Sequence, residues 1–93
     1  MHKLPLKDIL WIEAMGDYAT INTASKKFFL HLTLKALEEK IPSSKFIRVH
    51  RSYIVAIDNI TSVEDTTICI SNKLIPVGAI YKEGFMKRLN LLT

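Results

Sequence analysis

The apolar residues of this chain arrive in short runs, each cut off by polar or turn-forming residues before a long helix can form. That punctuation constrains the fold more than any other feature. Ile9-Leu10-Trp11-Ile12-Glu13-Ala14 and Tyr18-Ala19-Thr20-Ile21-Asn22-Thr23 are rich in β-forming residues and flank Met15-Gly16-Asp17, which predicts two strands around a glycine-containing turn. After a polar break at residues 23–27, Phe28, Leu30 and Leu32 share one face of a third strand, because side chains alternate along an extended chain. Further strands are predicted at 46–49, 53–57, 60–63, 67–71 and 74–77. The last two join at Ser71-Asn72-Lys73, where asparagine tolerates the positive φ of a tight hairpin.

Two segments carry helical spacing instead. Thr33 fits an N-cap, and Leu34, Leu37 and Ile41 recur on one side with Lys35, Glu38, Glu39 and Lys40 on the other until Pro42, predicting a helix of about two turns. Tyr81, Phe85, Leu89 and Leu92 step by three and four, predicting a closing helix that Gly84 weakens by about 1 kcal/mol. With 93 residues, 48% of them apolar and 24% charged, the chain builds one core and is read as a single domain over residues 1–93. No stretch approaches the roughly 18 apolar residues of a membrane helix, and Met1-His2-Lys3-Leu4-Pro5-Leu6-Lys7 lacks the apolar segment of a signal peptide. The expected location is therefore cytoplasmic, with no membrane partner. The single cysteine, Cys69, cannot form an internal disulfide and reads as a small packed side chain in a reduced compartment.

Nothing in the sequence has the pattern of a catalytic site. His2, His31, His50 and Cys69 do not occur at metal-ligand spacings, and Gly16, Gly78 and Gly84 are too scattered to form a phosphate-cradling loop. Ser52 lies near His50, but no carboxylate within that run orients the imidazole. The expectation is a non-enzymatic protein with no catalytic residue, metal, cofactor or small-molecule substrate.

Charge is segregated. The net charge is +4, and residues 40–57 hold Lys40, Lys45, Arg48, His50 and Arg51 without a carboxylate, before Asp58, Glu64 and Asp65. Within that stretch Arg48-Val49-His50-Arg51-Ser52-Tyr53 concentrates guanidinium, imidazole and hydroxyl groups at a strand end. Arginine donates two parallel hydrogen bonds to a guanine edge or to a phosphate, and hydroxyls bond phosphate oxygens. A solvated basic loop with a core histidine is the simpler account of the same residues, and charge and spacing alone do not settle between the two readings.

Four blocks then stand in order: Leu6-x-Asp8-Ile9-Leu10-Trp11-Ile12-Glu13-Ala14-x-x-Asp17-Tyr18; Leu32-Thr33-Leu34-Lys35-x-Leu37-Glu38-Glu39-x-Ile41-Pro42; Phe46-x-Arg48-Val49-His50-Arg51-Ser52-Tyr53-Ile54-Val55; and Ile75-Pro76-Val77-Gly78-x-x-Tyr81-Lys82. Together they resemble the LytTR family of bacterial DNA-binding domains over residues 6–92. The resemblance implies a mostly β fold of small antiparallel sheets with a short helix. It also implies sequence-specific binding of double-stranded DNA by loops placed in successive major grooves. Family members usually form the effector end of two-component response regulators, behind an N-terminal receiver domain, and act in pairs on direct repeats at promoters. A start so close to the first block resembles an excised effector domain or a very short protein.

By the same resemblance, DNA contacts fall in three loops: Met15-Gly16-Asp17-Tyr18, His50-Arg51-Ser52 and Gly78-Ala79-Ile80-Tyr81-Lys82. Arg51 is expected to read base edges and Ser52 to hold phosphate. Tyr18 approaches bases from the first loop. Asp17 either accepts from cytosine N4 or closes an Asx turn. Lys82 either meets phosphate or is a solvated lysine at a helix start, and His50 either touches DNA or serves packing or a backbone hydrogen bond. Arg48, placed on one strand face with Phe46 and His50, is expected to support the loop more than to touch DNA. Many family members carry arginine where this chain has Ala79-Ile80, so the third loop lacks its cationic reader. Two readings from other classes remain. One is a protein-interaction module on the same scaffold with weakened DNA binding. The other is single-stranded RNA binding, which requires exposed aromatics on one sheet face, whereas Phe28, Tyr53 and Tyr81 are more economically assigned to packing.

Overall fold

The computed structural model describes residues 4–92 and side chains as far as Asn90. Residues 1–3 and 93, including His2, lie outside this range, as does the Leu92 side chain. Among the described residues eight strands form two antiparallel sheets, the mostly β arrangement expected. β1 (Ile9–Met15), β2 (Tyr18–Thr23), β3 (Lys27–Leu30), β4 (Phe46–His50) and β5 (Tyr53–Ala56) make a five-stranded sheet in the order β3-β2-β1-β5-β4. β6 (Ser62–Glu64), β7 (Thr67–Ile70) and β8 (Lys73–Pro76) make a three-stranded sheet in sequence order.

The two faces of the larger sheet bury two separate cores. On one face Ile12, Ala19, Ile21, Ile54 and Phe46 pack against Leu34 and Leu37 of α1 (Leu34–Glu38). Thr33 caps this helix as expected, its hydroxyl accepting from the Ala36 amide at 3.0 Å. Regular helix ends at Glu38, but the amides of Lys40 and Ile41 both bond the Leu37 carbonyl. Winding thus continues to Ile41, which packs on the core, before Pro42 removes a donor. On the other face Val49 and Val55 meet Ile68, Ile70 and Ile75 of the small sheet and Phe85 of α2 (Lys82–Leu92). Tyr81 and Leu89 close over the same core, so the predicted helical face is present, and a side chain at Gly84 would meet nothing within 4 Å.

Two register shifts decide which core a residue joins. Between Ile9 and Trp11 the β1–β2 pairing slips, so Ile9 joins the first core while Leu10 and Trp11 pack on the second. Between Arg48 and His50 the β4–β5 pairing slips as well, with Arg48 opposite Ile54 and His50 opposite Tyr53. An extra residue in one strand reverses the facing of every residue beyond it. His50 therefore lies on the face of Tyr53, not on that of Phe46 and Arg48 as simple alternation predicts. Alternation also corrects the reading of Cys69: Ile68 and Ile70 point into the core, so Cys69, between Ser62 and Leu74 in the register, lies on the outer side of the small sheet and is partly exposed.

Candidate nucleic-acid interface

Three connections reach the same edge of the molecule, and the backbone ties them together. The first is the β1–β2 hairpin, where Gly16 takes φ +61°, a left-handed conformation that costs glycine nothing. The second is the two-residue link Arg51-Ser52 between β4 and β5. The third runs from Gly78 through a 3-10 turn, Ala79–Tyr81, into α2. The Ala14 amide donates to the Ser52 carbonyl at 2.9 Å, joining the first to the second, and the Gly78 amide donates to the Val49 carbonyl at 2.7 Å, joining the second to the third. A side chain at Gly78 would stand 3.2 Å from the Tyr81 ring and 3.7 Å from the His50 ring. Glycine thus permits the close approach of the third loop to the second.

Arg48 organises the central turn from beneath. Its Nε donates to the His50 carbonyl at 3.2 Å, one terminal nitrogen to the Arg51 carbonyl at 2.6 Å, and the other to Glu38 Oε1 of α1 at 2.9 Å. Its guanidinium carbon also lies 6.0 Å from the Tyr81 ring centre. A planar fork of donors suits three acceptors at once. His50 acts from the other side: the Ser52 amide donates to His50 Nδ1 at 3.1 Å, which places the neutral imidazole's proton on Nε2. The imidazole also packs edge-on against Tyr53, with ring centres 5.5 Å apart.

With the turn held from two sides, Arg51 projects into solvent. Its side chain is exposed and its guanidinium has no hydrogen-bond or ion-pair partner among the described residues, in contrast to Arg48. Ser52 is half-buried, with its amide and carbonyl used by the scaffold and its hydroxyl free of partners among the described residues. Tyr18 and Asp17 are exposed at the first hairpin, and Lys82 is exposed at the start of α2. Neither the Asp17 carboxylate nor the Lys82 ammonium has a hydrogen-bond or ion-pair partner among the described residues, so the Asx-turn alternative for Asp17 has no bond to support it. Ile80 is 87% exposed at the tip of the third loop.

A groove of about 430 Å³ links the first two loops to α1 and is lined by Asp17, Tyr18, His31, Lys35, Arg48 and Arg51 among others. His31 and Lys35 belong to this edge although sequence reading did not select them. Tyr18 and His31 meet with ring centres 5.1 Å apart, a cross-strand contact that arises from the β2–β3 register and is invisible without it. Lys35 arrives because the Thr33 cap starts α1 beside the groove. Among the described residues no group of three or more His, Cys, Asp or Glu side chains is placed to hold a metal, and no helix is long and apolar enough to cross a membrane.

Comparison with known proteins agrees with this architecture. Residues 1–90 match the family described as LytTr DNA-binding domain. The chain is 30% identical over 108 aligned positions to the sensory transduction protein LytT of Bacillus anthracis, covering 98% of this chain and 44% of that protein. It is 43% identical over 54 positions to the heme-containing CO-sensing transcriptional regulator RcoM 1 of Paraburkholderia xenovorans, covering 58% of this chain and 20% of that protein. A solved structure of the LytTr DNA-binding domain of a putative methyl-accepting/DNA response regulator from Bacillus cereus superimposes with a TM-score of 0.84 at 26% identity, covering 92% of this chain and 84% of that one. The chain spans less than half the length of these curated relatives. From fold, ordered motifs and these similarities together, the chain belongs to the LytTR family, the non-enzymatic DNA-binding effector domains of transcriptional regulators.

Proposed function

We propose that residues 1–93 form a single domain that reads double-stranded DNA by laying its three tied loops into successive major grooves, with Arg51 as the principal base reader. The observation that carries this reading is the contrast between two arginines three residues apart. Arg48 spends its donors on the protein, whereas the exposed Arg51 has no partner for its own among the described residues and stands on a turn that Arg48 and His50 hold. A guanidinium carried on a held turn, with its donors free, is suited to the O6/N7 edge of guanine. Ser52 and Lys82 serve phosphate oxygens, Tyr18 and Asp17 approach bases from the first loop, and Ile80 supplies an apolar contact of the kind a thymine methyl group accepts. Arg48 and His50 are positioning residues in this scheme.

In the longer protein this domain is the effector end of a cytoplasmic response regulator, behind an N-terminal receiver domain, and it works in pairs on direct repeats at promoters. Selection from random duplexes at about physiological salt, with the parent chain and Arg51→Ala in parallel, tests the reading. Enrichment of a short motif by the parent and its loss in the variant is the expected result. The exposed Ile80 favours a second reading, a protein-interaction module with weak DNA contact. DNA affinity that does not fall steeply with salt would select that one.

A further inference from the structure

Exposed aromatic side chains lead away from the reading edge along the border of the β2–β3 hairpin. Alternation sends Ala19, Ile21, Phe28 and Leu30 to the α1 core, so Tyr18 and Phe29 face the other way. There Phe29 pairs with Thr20, and Met15 with Tyr18. Phe29 is 63% exposed, Tyr18 51% and Met15 50%, and His31 stacks beside Tyr18. The neighbouring part of this face is covered, with Trp11 and Tyr53 packed on the second core and Thr20 and Asn22 buried, whereas Phe29, Tyr18 and His31 stay exposed at its border.

From this surface we infer a stacking platform for unpaired bases of single-stranded DNA adjoining the duplex site. Two observations favour that occupant over an apolar one. The row is continuous with the proposed DNA-reading edge through Tyr18, which belongs to both. Cations lie beside it: Lys27 is exposed two residues from Phe29 on the same strand face, and Lys35 and Arg51 line the groove that Tyr18 and His31 also line, each with an ammonium or guanidinium free of partners among the described residues. Of the nearby carboxylates, Glu13 is engaged by Tyr53 and Lys73, and Asp17 at the reading edge and Asp8 beside Lys26 are repulsive charges to be offset. Aromatic faces with flanking cations are what single strands use, since every base has a π-face to stack and every nucleotide a phosphate to neutralise. The continuity argument rests on the duplex reading, so the two are measured separately.

The test is fluorescence anisotropy of the full chain with a labelled oligo(dT) of about a dozen nucleotides and, in a second arm, with a blunt duplex. Expected are measurable oligo(dT) binding by the parent, weakening of at least about fivefold in Phe29→Ala, recovery in Phe29→Tyr, and unchanged duplex binding in both variants. Equal oligo(dT) affinity for parent and Phe29→Ala overturns the platform, as does a parent that binds duplex and not oligo(dT). Self-association that Phe29→Ala abolishes in sedimentation, with oligo(dT) binding untouched, assigns the row to a second copy and overturns it too. A failed duplex arm beside an intact oligo(dT) arm removes the duplex reading alone.

Discussion

A terminal nitrogen of Arg48 donates to the main-chain carbonyl of Arg51 at 2.6 Å, so the arginine drawn in against the protein holds the one that faces out. The same guanidinium reaches Glu38 of α1 and lies over Tyr81 at the third loop. One side chain therefore links the helix, the central turn and the neighbouring loop.

Removing that link is expected to weaken DNA binding by loosening the turn. Arg48→Ala is expected to cost about 1–3 kcal/mol of stability, because it leaves turn carbonyls and Glu38 without a charged donor. It should also lower duplex affinity through a looser turn. Arg48→Lys does not restore either, since a lysine cannot reproduce the fork. Urea unfolding and duplex titration of both variants check this; full recovery by lysine would show that charge alone is what the site requires.

Arg51→Ala is expected to do the reverse. With no partner for its side chain among the described residues, its loss should move stability by no more than about 0.5 kcal/mol. Discrimination at one base pair should fall by about 1–3 kcal/mol. Competition between selected and single-mismatch duplexes measures the second quantity, and unchanged discrimination removes Arg51 as the reader.

Ser71 and Asn72 turn the β7–β8 hairpin with φ values of 47° and 71°. Two consecutive left-handed residues make the tight turn that matches strand twist. Asn72→Gly should retain stability, whereas Asn72→Val should lower it by about 1–2 kcal/mol, the steric penalty of that conformation for a branched residue. Thermal unfolding of the pair tests the turn independently of any DNA contact.

Phe85 and Ile80 stand close in sequence and opposite in exposure. Phe85 is 1% exposed at the centre of the second core, and Phe85→Ala should cost about 3–5 kcal/mol. Ile80→Ala should leave the denaturant midpoint in place while lowering preference for thymine at one position of the selected site. An unchanged preference would exclude the methyl contact.

The segments whose structure is local were legible in the sequence. The span of β2, the Thr33 cap, the stop before Pro42, the Ser71-Asn72 turn and the Phe85 face of the last helix all rest on neighbours within a few residues. The ordered motifs likewise announced the family, because they mark such local units at their spacings. His50 and Cys69 show where this reasoning ends. The Cys69 facing depends on which neighbours are pulled inward, and β7 on its own does not say which of its two faces meets a core. His50 is turned over by a slip between Arg48 and its partner strand, a property of the pairing and not of either segment.

Short-range sterics, hydrogen bonding and apolar periodicity act along the chain, so the strands, turns and caps, and with them the kinship, are written in the order of the residues. It took the folded chain to set which acceptors Arg48 bonds, that the Arg51 side chain faces solvent, that His50 braces the turn, and that Phe29, Tyr18 and His31 are exposed together. The physical reason is that strand pairing sets facing with a period of two, so one inserted residue reverses it. The partners that hold each side chain then come from elements distant in sequence, such as Glu38 for Arg48 and Gly78 for the strand that carries His50.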